Sequence, residues 1–226
     1  MLTNQSSLAL TRQKWCDFFA DDSGRVTAWT FVPEAILPQI LSGEIQECTV
    51  DHSEEDPLFR MAYQWMMDCM DESGIAGRKP GQSPWWCWIR TDKDYTKPSN
   101  RHGGEGQVLL ELSIPANELL MSDFGMWHVP LNYWINAEGE EEEAFEQEIK
   151  AAGYSIWADK PLPEPFHSRV QEKWKDVFEL EKVNGFTDEF ESKSIQGVYW
   201  NLRPDIIKGV VEPAVFVDDD DHQEEE

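Results

Sequence analysis

The chain has 226 residues, of which 44 are acidic and 19 basic, and its net charge is −25. Such a polyanion is not expected to bind nucleic acid through its phosphates or to lie on an anionic membrane, because both modes need clustered lysine and arginine. The 40% of apolar residues excludes wholesale disorder, and the length suits one domain of about 200 residues.

The N-terminus and the cysteines favour a cytoplasmic protein. Residues 1–10 contain no basic residue and one short apolar patch at 8–10, so no export signal is predicted. The four cysteines are scattered without a CxxC pair, and we expect reduced thiols. Histidine and cysteine residues never fall at zinc-ligand spacing, so the sequence predicts no metal site.

The first half of the chain alternates short strand and helix patterns. After an N-terminal extension over 1–24, residues 25–32 have the β-branched and aromatic composition of a strand. Pro33 then favours a short helix over 33–42. A longer helix is predicted over 57–72, where apolar residues recur at helical spacing.

The second half adds four strands and two helices. The strands are predicted at 85–90, 107–114, 194–201 and 209–217, and the helices at 140–152 and 166–180. Strands and helices do not strictly alternate, which favours an α+β fold with a mixed or antiparallel sheet flanked by helices. No linker composition interrupts residues 25–217, so we expect one globular domain there.

Acidic residues are concentrated in two blocks. An acidic helical insert is predicted near 138–152, and the tail at 218–226 is predicted to be disordered. Without the fourteen acids at 138–148 and 218–226, the remainder still carries 30 acids against 19 bases. The body of the domain is therefore acidic as well.

Tryptophan marks one candidate binding surface. On a strand, Trp86 and Trp88 point to one face and Trp85 to the other. Either both faces are buried, or Trp86 and Trp88 line a pocket in which a flat ring stacks. Trp29 and Thr30, near the end of the first strand, either face the same cleft or belong to a helix cap.

A second candidate group lies in the segment 119–134. There, Asp123, Trp127, His128 and Asn132 fall within ten residues of one another. His128 is surrounded by apolar and aromatic residues that could tune its pKa for acid–base chemistry. The alternative is a structural histidine, with Asp123 capping a turn. Glu111, within a predicted strand, faces either solvent or a ligand.

Four stretches of the chain resemble a known family. They are TAWTFVPEAILPQILSGEI at 27–45, FRMAYQWMMDCM at 59–70, LLELSIPANELLMSDFGMWHVPLN at 109–132, and KWKDVFEL at 173–180 with SIQGVYWNLRPDIIKGV at 194–210. In these stretches the chain resembles the bacterial family known as domain of unknown function 3841, over roughly residues 25–212. The resemblance implies domain boundaries and no activity.

The order of elements is also similar, more loosely, to ADP-ribosyltransferase-like domains. That similarity implies a His or Arg on the first strand, an aromatic residue or Ser on a middle strand, and a late Glu. Here Trp29 and Thr30 occupy the first-strand position, and only Glu111 could serve as the carboxylate. The similarity therefore implies a fold more than a reaction, because fold alone does not set function.

Two functional hypotheses remain open. In the first, the aromatic cleft binds a nucleotide such as NAD as cofactor or substrate, His128 or Glu111 acts on it, and Arg25, Arg60 or Arg90 supplies local positive charge. In the second, the chain is a non-enzymatic acidic protein that engages a basic partner, for example a nucleic-acid-binding enzyme. A third hypothesis is that the negative charge serves only solubility and that the tryptophans belong to the hydrophobic core.

Overall fold

A computed structural model describes residues 6–49, 56–91, 96–137, 139–183 and 189–215. The predicted acidic tail at 218–226 lies outside these ranges. The helices within them are α1 (Ser7–Phe19), α2 (Leu37–Ser42), α3 (Pro57–Glu72), α4 (Phe124–Leu131), α5 (Glu140–Ala151) and α6 (Phe166–Trp174). The strands are β1 (Arg25–Pro33), β2 (Trp85–Arg90), β3 (Gln107–Pro115), β4 (Leu120–Asp123), β5 (Ile195–Tyr199) and β6 (Ile207–Val211).

The strands form one open, six-stranded antiparallel sheet in the order β4-β5-β2-β1-β3-β6. This confirms the predicted α+β class, and the sheet is antiparallel rather than mixed. The longest pairing joins β1 to β3 over all nine residues of each strand. The two strands at the centre of the sheet, β2 and β1, are those that carry the predicted tryptophans.

Each face of the sheet is covered by its own apolar core, as the alternation of side chains along a strand requires. On one face, Val198 of β5 packs with Trp65 of α3, Trp127 of α4 and Phe145 of α5. On the other face, Cys87, Leu112 and Tyr199 pack with Trp15 of α1 and Ile40 of α2. Sheet and helices therefore form one domain with a core on each side.

Several predicted boundaries differ from the observed ones. The segment 33–42 is a 3₁₀ turn followed by α2, and α6 passes into a 3₁₀ turn after Trp174. The strand β4 was not predicted, and β6 begins at Ile207 rather than 209 and ends at Val211. Helix α1 lies in the expected N-terminal extension, yet its Trp15 is buried and donates a hydrogen bond to the carbonyl of Phe178 over 2.9 Å.

The acidic insert forms the predicted helix. Helix α5 buries Phe145 and Ile149 and exposes most of its glutamates. Its first turn is entirely acidic, which favours the positive end of the helix dipole. Among the described residues, none of the helices has the length and apolar character needed to cross a bilayer.

Candidate functional site

A cleft of about 420 Å³ opens on the face of the sheet that carries Trp86 and Trp88. Strands β1, β2 and β5 contribute to it, together with α3, α4 and the polypeptide that leads into β3. Its lining residues are Thr30, Phe31, Tyr63, Trp86, Cys87, Trp88, His102, Gln107, Phe124, Trp127, Leu131 and Gln196.

The register of the sheet sets a row of side chains across five strands. Residues directly opposite each other in antiparallel strands point to the same face. The register pairs Ser122 with Gln196, Gln196 with Trp88, Trp88 with Trp29, and Trp29 with Glu111. Five residues from distant parts of the sequence therefore lie side by side, and Trp88 and Gln196 of this row line the cleft.

Three side chains in this row hold a buried polar atom that lacks a hydrogen-bond partner in the described part of the chain. They are the indole Nε1 of Trp29, the amide Nε2 of Gln196 and the hydroxyl of Ser122. An unsatisfied buried polar group costs about 1–3 kcal/mol. Gln196 is only 6% exposed and is among the residues that line the cleft, so its Nε2 is a candidate donor to a ligand there.

Aromatic side chains form two walls above this row. In the first wall, the rings of Trp86 and Trp127 lie 5.1 Å apart between centroids, and Tyr63 is 6.0 Å from each of them. In the second wall, Trp88 contacts Phe124 at 4.9 Å and His102 at 5.1 Å. Ring spacings of this size are those of favourable aromatic pairs, and they preorganise both walls.

His102 is held in one orientation by the residue that begins its turn. The backbone N–H of Ser99 donates to Nδ1 of His102 over 3.2 Å, and the hydroxyl of Ser99 lies 3.0 Å from the same atom. Because Nδ1 accepts from a backbone donor, the neutral ring carries its proton on Nε2. The ring therefore has an N–H donor on its other nitrogen, next to Trp88 at the cleft.

Gly103 allows the loop after His102 to approach β1. A Cβ atom at this position would lie 2.4 Å from the ring of Phe31, which also lines the cleft. We expect Gly103→Ala to push the loop and the Phe31 ring apart and to destabilise the fold by about 1–3 kcal/mol, as overpacking does. Thermal unfolding measures the change, with Gly104→Ala as the control because the nearest atom there is 3.5 Å away. Equal midpoints for the two variants would contradict the close approach.

Five of the predicted ligand-binding residues lie at the cleft or next to it. Thr30, Trp86, Trp88 and Trp127 line it, and Trp29 lies beside Trp88 in the row. The hydroxyl of Thr30 donates to the carbonyl of Trp86 over 2.8 Å and so joins β1 to β2.

The other predicted residues of α4 lie elsewhere. His128 is on the exposed side of the helix, and its Nδ1 is 3.2 Å from the carbonyl of Gly125. Asn132 ends the helix and donates from its amide to the carbonyl of His128 over 2.8 Å. They are one turn apart on one helical face, although Pro130 lies within the helix. Neither residue lines the cleft, and the half-buried Glu111 lies in the row outside the lining.

Asp123 is engaged in holding α4 in place. Its carboxylate accepts from the backbone N–H of Met126 over 3.1 Å at the start of the helix. It also forms an ion pair with Lys193 at 3.0 Å, and the side chains of both residues are at most 3% exposed. Asp123 therefore positions the helix that carries Phe124 and Trp127 to the cleft.

Of the three arginines expected to supply positive charge to the cleft, two form hydrogen bonds within the fold. Arg25 donates to the hydroxyl of Ser113 over 3.0 Å, and Arg90 to the carbonyl of Lys193 over the same distance. Burial lowers the pKa of Arg90 below its usual range. Arg60 is exposed on α3 and does not line the cleft.

Sequence reasoning missed three notable cleft residues, which are Tyr63, His102 and Gln196. His102 lies in the glycine-rich segment RHGGEG at 101–106, a composition that indicates a loop and no particular site. Gln196 had a detectable signal, because it is the one amide within the apolar strand pattern of 195–199. Within the described ranges, no cluster of three or more His, Cys, Asp or Glu residues is arranged to hold a metal ion.

Comparison with known proteins returns one family. The model of the family described as Domain of unknown function (DUF3841) matches residues 29–208. This span runs from β1 to the start of β6 and includes every residue that lines the cleft. No curated protein and no solved structure matches the chain. The cleft is therefore interpreted from its own residues.

Proposed function

We propose that this chain, which belongs to the family Domain of unknown function (DUF3841), binds a nucleotide such as NAD by holding its flat ring in the cleft. The observation that carries this proposal is the buried Nε2 of Gln196, which has no hydrogen-bond partner among the described residues and belongs to a cleft with two aromatic walls. A buried donor without a partner calls for an explanation, and an acceptor atom on a bound ligand is one group that would satisfy it. The cleft therefore combines a stacking surface with a donor that a ligand could satisfy.

The chemistry of the walls favours a flat aromatic ring, because such a ring can stack on the tryptophan side chains. Stacking of a base on an aromatic side chain contributes about 1–3 kcal/mol and tolerates different rings. Trp86 and Trp88 are both partly exposed, so each offers ring surface to a ligand. The donor of Gln196 adds a preference for a ring with a carbonyl acceptor, such as the carboxamide of nicotinamide.

The charge of the protein limits where the phosphates of a nucleotide can lie. A net charge of −25 repels a dinucleotide, and a local positive site must offset this repulsion. Arg101 is exposed and adjacent to His102 at the edge of the cleft. We place the phosphates on that side, in contact with solvent, and only the ring inside the cleft.

The strand order agrees with one part of the similarity to ADP-ribosyltransferase-like domains. Strands β1, β2 and β5 are adjacent, so a first-strand residue (Trp29), a middle-strand aromatic (Trp88) and a late polar residue (Gln196) lie in one row. The late residue is an amide, which lacks the negative charge that stabilises positive charge developing on a sugar ring. The proposed function is therefore binding of the ring and does not include transfer of a group.

Thermal unfolding with a panel of ligands tests the proposal. Ligand at a hundredfold excess over Kd stabilises the folded state by about 2.7 kcal/mol, which raises the midpoint by roughly 5–10 °C for a domain of this size. We expect NAD and nicotinamide to raise it and ADP-ribose, which lacks the carboxamide ring, to leave it unchanged. An equal shift with ADP-ribose would assign the cleft to adenine, and no shift with any of the three would refute nucleotide binding.

Engagement of a basic protein is a second candidate function. It is favoured by α5, where four consecutive glutamates begin the helix and four of its six acids lack an ion pair within the described residues. This candidate does not compete with the first, because α5 contributes no residue to the aromatic cleft.

A further inference from the structure

A second concavity, distinct from the aromatic cleft, lies between α5 and the turn that follows it. Its volume is about 420 Å³. Its lining residues are Tyr133, Trp134, Ile135, Ala137, Glu142, Glu146, Ile156, Trp157 and Lys160. We name it the Trp157 pocket. We propose that the Trp157 pocket binds a basic, apolar-flanked segment of a partner protein, with a lysine or arginine side chain placed between Trp157 and the two glutamates.

Trp157 is presented to solvent on an ordered turn. Its side chain is 69% exposed, an unusual state for the largest apolar residue. The turn is closed by Ser155, whose backbone N–H donates to the carboxylate of Asp159 over 2.7 Å and whose carbonyl accepts from the N–H of Asp159 over 2.9 Å. Tyr154, beside it, is also exposed. An exposed tryptophan on a hydrogen-bonded turn is the kind of residue that anchors a binding interface.

The base of the Trp157 pocket is fixed by Tyr133. Its hydroxyl lies 2.7 Å from Nδ1 of His167 and accepts from the backbone N–H of Leu162 over 3.0 Å. Burial raises the pKa of this hydroxyl to about 12, so it stays protonated. The backbone φ of Tyr133 is 52°, in the left-handed region that a bulky residue rarely adopts. The pocket is therefore preformed, which lowers the entropy lost on binding.

The acids of α5 are divided between two faces of the helix. On the face towards α6, Glu141 pairs with Lys173 at 2.6 Å and Glu148 with Arg169 at 2.7 Å. On the pocket side, Glu142 and Glu146 are one turn apart and have no ion pair in the described ranges.

The one cation in the pocket lining does not neutralise these two carboxylates. Lys160 donates from its Nζ to the carbonyl of Asn132 over 2.9 Å. Burial lowers the pKa of Lys160 below its usual range. The same Nζ lies 5.8 Å from the centre of the Trp157 ring. A cation therefore already lies near one side of the Trp157 ring. Because the pocket lining has two carboxylates, Glu142 and Glu146, and one lysine, its net charge stays negative.

Charge complementarity selects the occupant. The C-terminal block of the sequence is acidic and so is a second copy of the chain, so neither is attracted to two free glutamates. A basic side chain gains both the carboxylates and the face of an indole, an arrangement that contributes about 0.5–2 kcal/mol per cation–π contact. Apolar neighbours of that side chain would contact Ile135 and Ile156.

Fluorescence anisotropy of labelled peptides tests the Trp157 pocket. The probe is a peptide of alternating leucine and arginine, and its control has glutamate in place of arginine. We expect the basic peptide alone to bind. The double variant Glu142→Gln/Glu146→Gln should weaken its binding about tenfold, which corresponds to about 1.4 kcal/mol. Trp157→Ala should weaken it by a similar factor, without a change in the unfolding midpoint, because the side chain is exposed.

A matched control variant distinguishes binding at the Trp157 pocket from attraction of the peptide to the overall negative charge of the protein. Glu141→Gln/Glu148→Gln removes the same charge from the same helix on the face towards α6. We expect this variant to stay folded, since screened surface ion pairs contribute little to stability. It should bind the basic peptide as the parent chain does, because neither residue lines the Trp157 pocket. Equal weakening by the two double variants, or no binding of the basic peptide to the parent chain, would overturn the proposal. Neither result bears on NAD binding in the aromatic cleft.

Discussion

Replacing Asp123 by alanine should lower the free energy of unfolding by about 3–5 kcal/mol, because Lys193 would be left buried without its carboxylate. The variant also loses the acceptor for the backbone N–H of Met126 at the start of α4. For a chain of this size, the unfolding midpoint should fall by roughly 10 °C. Thermal unfolding followed by circular dichroism measures the change.

Two further variants give the controls for this expectation. Glu148→Ala removes an exposed ion pair with Arg169 and should cost less than about 1 kcal/mol. The double change Asp123→Leu/Lys193→Met removes both buried charges and should recover most of the lost stability. If Asp123→Ala and Glu148→Ala lowered the midpoint equally, the buried pair would not have the structural role that we assign to it.

Replacing Gln196 by methionine should reduce the response to NAD by about half or more, while leaving the unliganded protein as stable as before, or more stable. Methionine has a similar length but no amide, so the change removes a buried donor that has no partner in the described residues. Loss of a ligand hydrogen bond of about 1–3 kcal/mol raises Kd by roughly tenfold or more. The midpoint with and without NAD measures both effects in one experiment.

Ser122→Ala is the matched control for Gln196→Met. Ser122 is the neighbour of Gln196 in the row and also holds a buried, unpartnered polar atom, but it does not line the cleft. We expect this variant to keep the shift with NAD. A fall of several degrees in the midpoint of Gln196→Met, together with a retained shift, would show that Gln196 has a structural role only.

The bounds of a helix or strand could be predicted from the sequence where local signals, such as a cap, a proline or a regular apolar pattern, determine them. Helix α3 has a capping Asp56, a proline at its first position and a regular apolar stripe, and its bounds were predicted at 57–72. Strand β2 is a short aromatic run with the predicted bounds 85–90. Strand β4 was missed because its four residues are all buried and show no alternation between apolar and polar.

The site depends on register, which the sequence does not reveal. Trp88 and Gln196 are neighbours only because β2 pairs with β5 in one register. A shift of one residue would turn Gln196 to the opposite face of the sheet. The apolar neighbours of His128 made it the candidate histidine in the sequence, but in the structure α4 places its side chain on the exposed side of the helix. His102 reaches the cleft because Gly103 allows its loop to pack closely against Phe31. Tertiary packing, rather than local composition, therefore determines which histidine lines the cleft.

The most direct test of ring binding is to observe which tryptophans contact the ligand. Nuclear Overhauser effects between the ring protons of NAD and the indole protons can be recorded on protein that is deuterated except at tryptophan. We expect contacts from the nicotinamide ring to Trp86 and Trp88, and in Gln196→Met we expect these contacts to need about tenfold more NAD. Contacts to Trp157 alone, or none to any tryptophan at saturating NAD, would contradict ring binding in the cleft.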